Sequence, residues 1–155
     1  MSKRRFLKHY RSVVKWTRMK NGMSATDFDL IMFLEDEGYF TMYNFDEFAK
    51  LIPWEKKRLY RLIREGWIDS LSSTEMKPYR RKYRVSMKGR TMVNKVYSIL
   101  NGETLMANTN MPKMSREKTP YAHVAFKNGI TRMNEESKAE WKRNRAECEK
   151  KRAEG

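Results

Sequence analysis

Apolar residues recur along this chain at helical spacing, then briefly at strand spacing, then at helical spacing again. Tyr10, Val13, Val14 and Thr17 fall at i, i+3, i+4 and i+7, with Phe6 a turn earlier, so a helix is expected that stops at Gly22. Ser24 followed by Asp27 resembles a capping box, and Phe28, Ile31 and Leu34, helped by Leu30 or Met32, mark the buried stripe of a second helix ending at Gly38. Asn44 with Glu47 repeats the starting signal ahead of Phe45, Phe48, Leu51 and Ile52. Pro53 suits the first turn of another helix, expected over Pro53 to Glu65 and stopped by Gly66. The period then drops to two. Trp67 to Leu71 reads as a short strand, and Lys82, Arg84 and Ser86 alternate with Tyr83, Val85 and Met87 as its half-buried return. Ser86 also caps a further helix, with Val93, Val96, Tyr97 and Leu100 on one face before Asn101 and Gly102 end it.

This order predicts a mainly α fold with a small β-hairpin: a winged helix-turn-helix with flanking helices and an extended C-terminal arm. The expected divisions are a basic helix over residues 1–23, the winged helix-turn-helix domain over 24–102, and a linker or arm with a polar helix over 103–155. Glu103 to Pro120 has no sustained period and contains Asn108, Asn110 and Pro112; Met106, Met111 and Met114 are candidates to pin it to a surface. Tyr121 to Phe126 fits a short strand or the start of a helix, interrupted at Gly129. Asn134 is a fair cap for a last helix to about Ala153, polar nearly all round, with Trp141 its one large apolar side chain.

Charge turns this outline towards a partner. The 155 residues carry 34 Lys and Arg against 19 Asp and Glu, a formal charge of +15, and such an excess attracts polyanions. No apolar run approaches the roughly 20 residues that span a bilayer, so a membrane is not expected. The single cysteine, Cys148, excludes an intramolecular disulfide and fits a reducing compartment, hence a cytoplasmic location, nucleoid-associated or inside a viral assembly. No acidic residue precedes Asp27, and the first helix has either a phosphate-touching face or a merely solvated one.

Successive residues step about 100° around a helix. In the helix before Gly66, Leu59, Leu62 and Ile63 therefore converge on the core side, whereas Trp54, Lys57, Tyr60, Arg61 and Arg64 face outward with Arg58 at the edge. Long cationic side chains there can reach phosphates and guanine edges in a major groove. Lys77, Arg80, Arg81 and Lys82 lie near the hairpin tip, where arginine can enter a minor groove. The competing readings are a solvated helix face and a charged loop that keeps an edge strand soluble.

Leu62-Ile63-Arg64-Glu65-Gly66-Trp67-Ile68 resembles the helix, glycine, strand junction of MarR-like winged-helix regulators. Tyr83-Arg84-Val85-Ser86-Met87-Lys88-Gly89-Arg90 resembles the segment where their wing returns and the next helix begins. The resemblance covers about Arg5 to Gly102. It implies a homodimer built by flanking helices, major-groove reading by Lys57, Tyr60, Arg61 and Arg64, and minor-groove contact by Arg80 and Arg81. Lys77-Pro78-Tyr79 stands where the family often has an aspartate that orients the wing arginine, and the C-terminal extension is additional.

Chemistry is not expected of this chain. His9, His123 and Cys148 are too scattered for a zinc site, no glycine-rich phosphate loop occurs, and no histidine lies near enough in sequence to activate Cys148. Neither a catalytic residue, nor a cofactor, nor a metal is expected. The leading expectation is a DNA-binding, dimeric transcription regulator that reads duplex DNA with helix 53–65 and wing 72–82. The alternative is a structural or architectural nucleoprotein component that uses the same domain and residues 103–155 for protein contacts or non-specific DNA binding.

Overall fold

The computed structural model describes residues 3–71, 77–106 and 120–155. In chain order these form α1 (Lys3–Asn21), α2 (Ala25–Glu37), β1 (Phe40–Thr41), α3 (Met42–Leu51), α4 (Lys56–Arg64), β2 (Ile68–Ser70), a 3-10 turn (Pro78–Arg80), β3 (Lys82–Val85), α5 (Met87–Leu100) and α6 (Pro120–Glu154). The described chain is mainly helical, with one three-stranded antiparallel sheet in the order β1-β3-β2. Two compact units result: Met23–Asn94, and Met1–Gly22 together with Lys95–Gly155. The division falls inside α5, so its last turns belong with the terminal unit rather than with the middle domain expected over 24–102.

In the middle unit, α2 opens where expected. Ser24 Oγ accepts the Asp27 N–H at 3.2 Å, and Phe28, Leu30, Ile31 and Leu34 are fully buried. Asp27 does not reach back to complete a capping box; its carboxylate is used elsewhere, as described below. β1 is an addition that the sequence pattern did not announce. Two residues are too short to show a period, and the strand exists through pairing: Phe40 opposes Tyr83, their rings stacked at 5.7 Å.

α3 starts three residues earlier than expected. Its cap is Thr41, whose hydroxyl accepts the Asn44 N–H at 3.3 Å while Asn44 Oδ1 accepts the Thr41 N–H at 2.9 Å, so Asn44 closes a capping box rather than opening a helix. Met42 and Phe45 fill the core. The expected continuation of that stripe fails, since Leu51 is 79% exposed and Ile52 is 40% exposed. Each i+3 step slips about 60° around a helix, so two steps beyond Phe45 carry Leu51 off the buried face.

Beyond α4, Gly66 adopts φ +81°, its N–H donates to Ile63 O at 3.2 Å, and Trp67 N–H donates to Leu62 O at 2.9 Å. This Schellman stop turns the chain directly into β2, which pairs with β3 through Ile68 opposite Val85. Tyr83 and Val85 point inward and Lys82 outward, but the alternation ends there. Ser86 is buried and Met87 is 67% exposed, the reverse of the expected phase, because Ser86 Oγ accepts the Gly89 N–H at the start of α5. Gly89 has no room for a side chain: a Cβ there would lie 2.5 Å from Val85 Cγ1 and 3.1 Å from Trp67 O.

In the terminal unit, α1 packs on α6. His9, Val13, Trp16 and Thr17 are its buried stripe, with Val14 beside them. From α5, Val96, Ile99 and Leu100 are buried, whereas Tyr97, expected on that stripe, is 44% exposed. α6 corrects the C-terminal expectation twice. Gly129 interrupts nothing, and Asn134 caps nothing, because both lie inside one 35-residue helix. Ile130, Met133 and Ser137 are buried along one face of it, a stripe that becomes visible only when the helix is begun at Pro120. Mid-helix, the Asn134 amide pairs with the backbone of Met106: its Nδ2 donates to Met106 O at 2.8 Å and its Oδ1 accepts the Met106 N–H at 3.1 Å. Met106 is buried there, and Trp141 Nε1 donates to Gly102 O. Met111, Met114, Asn108, Asn110 and Pro112 lie outside the described residues.

Candidate nucleic-acid interface

α4 begins at Lys56, not at Pro53. Trp54 N–H donates to Ile52 O at 2.8 Å, a tight turn about Pro53 that keeps residues 52–55 out of the helix. Trp54 therefore leaves the outward face expected of it. Its side chain is buried, with its ring 5.0 Å from that of Phe33. Leu59 and Leu62 are buried as expected, and Ile63 is half-buried.

The outward side carries Lys57, Tyr60 and Arg64, all exposed, with Arg58 and Arg61 partly covered. A depression of about 240 Å³ lies among Lys57, Arg58, Arg61, Arg64 and Glu55. Arg58 and Arg61 converge on one carboxylate. Arg58 Nη1 is 2.5 Å from Asp27 Oδ1, and Arg61 Nη2 is 2.6 Å from Oδ1 and 2.7 Å from Oδ2. Asp27 is only 7% exposed, so this anchor sits at the bottom of the basic face. Lys56 is similarly matched, 3.1 Å from Asp46. The two arginines are thus partly committed inside the molecule, which helical spacing alone does not disclose. Asp27 lies more than thirty residues away in sequence, and its place in a first helical turn had its own explanation in the helix dipole.

On the hairpin, Lys77, Arg80 and Lys82 are exposed and Arg81 is half-buried. The Arg80 guanidinium lies 5.8 Å from the Tyr79 ring centre. Ser72–Met76, the centre of the expected wing, lie outside the described residues. Two further cations, absent from the expected set, lie on aromatic faces nearby in the chain. Arg84 donates to Tyr39 Oη at 3.1 Å and covers its ring at 4.9 Å, and Lys88 lies 3.9 Å from the Trp67 ring centre. Burial raises the Glu35 carboxyl above its ordinary value, against the pull of Arg90 and Arg84. Among the described residues no group of three or more His, Cys, Asp or Glu is placed to hold a metal ion, and no helix is long and apolar enough to cross a membrane.

Comparison of this chain with protein-family models, with curated proteins and with solved structures finds no match.

Proposed function

We propose that this protein binds duplex DNA as a winged-helix, MarR-like transcription regulator, with α4 as the groove-facing helix and the hairpin after β2 as the wing. The element order α2, β1, α3, α4, β2, β3 and the β1-β3-β2 sheet support that reading of the fold. The observation that carries the function is the depression on α4, in which four cationic side chains surround one concavity. Lys57, Tyr60 and Arg64 make the outward contacts. Arg58 and Arg61, held from below by Asp27, offer their remaining N–H groups in a fixed orientation, which lowers the entropy lost when a phosphate or base edge is engaged.

The test is selection from a random duplex pool at physiological salt, followed by affinity measurements with Lys57→Ala/Arg64→Ala. Neither residue belongs to the core, so the fold persists. A loss of about 10- to 100-fold is expected for the selected site, at about 1–3 kcal/mol for a base-contacting pair. Unchanged affinity in this variant overturns the assignment. An enriched inverted repeat with half-sites one helical turn apart supports the homodimer implied by the resemblance; a single enriched half-site refutes it.

A further inference from the structure

The terminal unit has a basic face of its own, and among the described residues no carboxylate matches it. Arg11, Lys15 and Arg18 stand at i, i+4 and i+7 on α1 and line a depression of about 580 Å³ together with Tyr10, Ser12 and Phe126 of α6. Among the described residues none of the three cations is paired with an acidic group. Lys8, one turn before Arg11, is the contrast, since it reaches Glu136 at 3.1 Å. Like charges four residues apart repel by about 0.2–0.5 kcal/mol per pair, so this row costs the free protein stability unless an anion offsets it. Arg18 Nε is buried and has no acceptor among the described residues, an additional cost to the free protein.

We infer that the α1–α6 depression is a second polyanion site that binds the phosphate backbone of nucleic acid without reading bases. The row from Arg11 to Arg18 spans about 10 Å of helix axis, matching about three steps of a strand whose phosphates rise 3.4 Å each. Base stacking is not offered, because the Lys15 ammonium lies 5.3 Å from the Phe126 ring centre and covers that ring face. A lipid surface fits less well: Val13, Val14 and Trp16, the large apolar residues of this stretch, are buried in the protein and leave no broad apolar face to enter a bilayer. The inference stands on residues separate from those of α4.

The experiment measures binding of the full chain to a labelled duplex of arbitrary sequence between 50 and roughly 300 mM salt. Wild type is compared with Arg11→Gln/Lys15→Gln/Arg18→Gln, with the exposed pair Arg11→Gln/Lys15→Gln alone, and with Lys57→Ala/Arg64→Ala. Each phosphate contact contributes about 0.9 to the slope of log affinity against log salt. The triple variant should therefore lose at least about tenfold in affinity at low salt and flatten the slope by about 2 to 3, equally for every sequence. The double variant should flatten it by about 2, which covers the event that Arg18→Gln disturbs the fold. An unchanged slope in the double variant overturns the inference. So does a variant-sensitive attachment to anionic phosphatidylserine vesicles without loss on the duplex. Weakening by the α4 variant alone leaves the proposed function standing and removes this site; weakening by the α1 variants alone does the opposite.

Discussion

The basic faces of α4 and α1 carry similar side chains in different circumstances. On α4, Arg58 and Arg61 share the buried Asp27 and Lys56 meets Asp46. On α1, Arg11, Lys15 and Arg18 meet no carboxylate among the described residues, whereas Lys8 and His9 are both held by Glu136. Formal charge is the same currency in both, but its availability is not. A guanidinium held by an internal carboxylate is oriented, and its counterion release on meeting phosphate is reduced. An unmatched one is freer and contributes its full electrostatic share. The first arrangement favours geometry and hence discrimination; the second favours affinity without discrimination.

The sharpest way to break this contrast is Asp27→Asn. The amide keeps the shape and can still accept at one oxygen, but two guanidinium groups lose their anion in a largely buried setting. Removing one partner of a buried pair costs about 3–5 kcal/mol. Because the arginine side chains are 27% and 42% exposed, about 2–3 kcal/mol is expected here, read from the denaturant midpoint at constant m. A loss under about 0.5 kcal/mol would mean that Arg58 and Arg61 are as free as the α1 cations, and the contrast would collapse.

This pair also marks the limit of what the sequence discloses. Local signals were legible: the Ser24 and Ser86 caps, the Gly38 and Gly66 stops and the inward Tyr83 and Val85 all follow from chemistry within a few residues. The structure departs from the local pattern where a partner distant in sequence decides. Phe40 and Thr41 become a strand only against β3, Asn134 leaves its capping role for the Met106 backbone, and Trp54 turns inward towards Phe33. The outward direction of Lys57, Tyr60 and Arg64 needed only the helical period. Whether a neighbouring arginine is available needed Asp27, and no spacing on α4 points to it.

A smaller effect is expected where α1 is tied to α6. Lys8 Nζ and His9 Nε2 lie 3.1 and 2.8 Å from the two oxygens of Glu136. Burial alone would raise the Glu136 carboxyl, but hydrogen bonds and charge from His9 and Lys8 outweigh it and hold the group below its ordinary 4.5. A carboxyl depressed in the folded state stabilises the protein above its unfolded value, and that contribution is lost as pH falls through the folded one. Glu136→Gln should therefore cost about 0.5–1 kcal/mol at pH 7, and the gap from wild type should close as the pH is lowered from 4.5. A gap that stays constant from pH 7 down to about pH 3 would show that the ion pair does not contribute, leaving α1 held by its apolar stripe alone.

The smallest effect is expected at the far end of α6, which sharpens the contrast by supplying a third kind of basic surface. Every residue from Lys142 to Gly155 is exposed, and the acidic groups there are interleaved with the basic ones, as in the 2.7 Å pair of Lys151 with Glu147 four residues earlier. Such pairs contribute only about 0.3–0.5 kcal/mol to a solvated helix, and no apolar area is lost with the segment. Ending the chain after Trp141, which keeps the indole bond to Gly102, should leave Tm within about 2 °C of the full chain. Its effect on the duplex salt slope should also be no greater than that of the three α1 substitutions, although the segment holds six cations, because three carboxylates stand among them. If truncation instead flattened the slope more than the α1 variant does, the number of cations rather than their freedom from carboxylates would govern binding. The distinction between α1 and α4 would then lose its functional meaning.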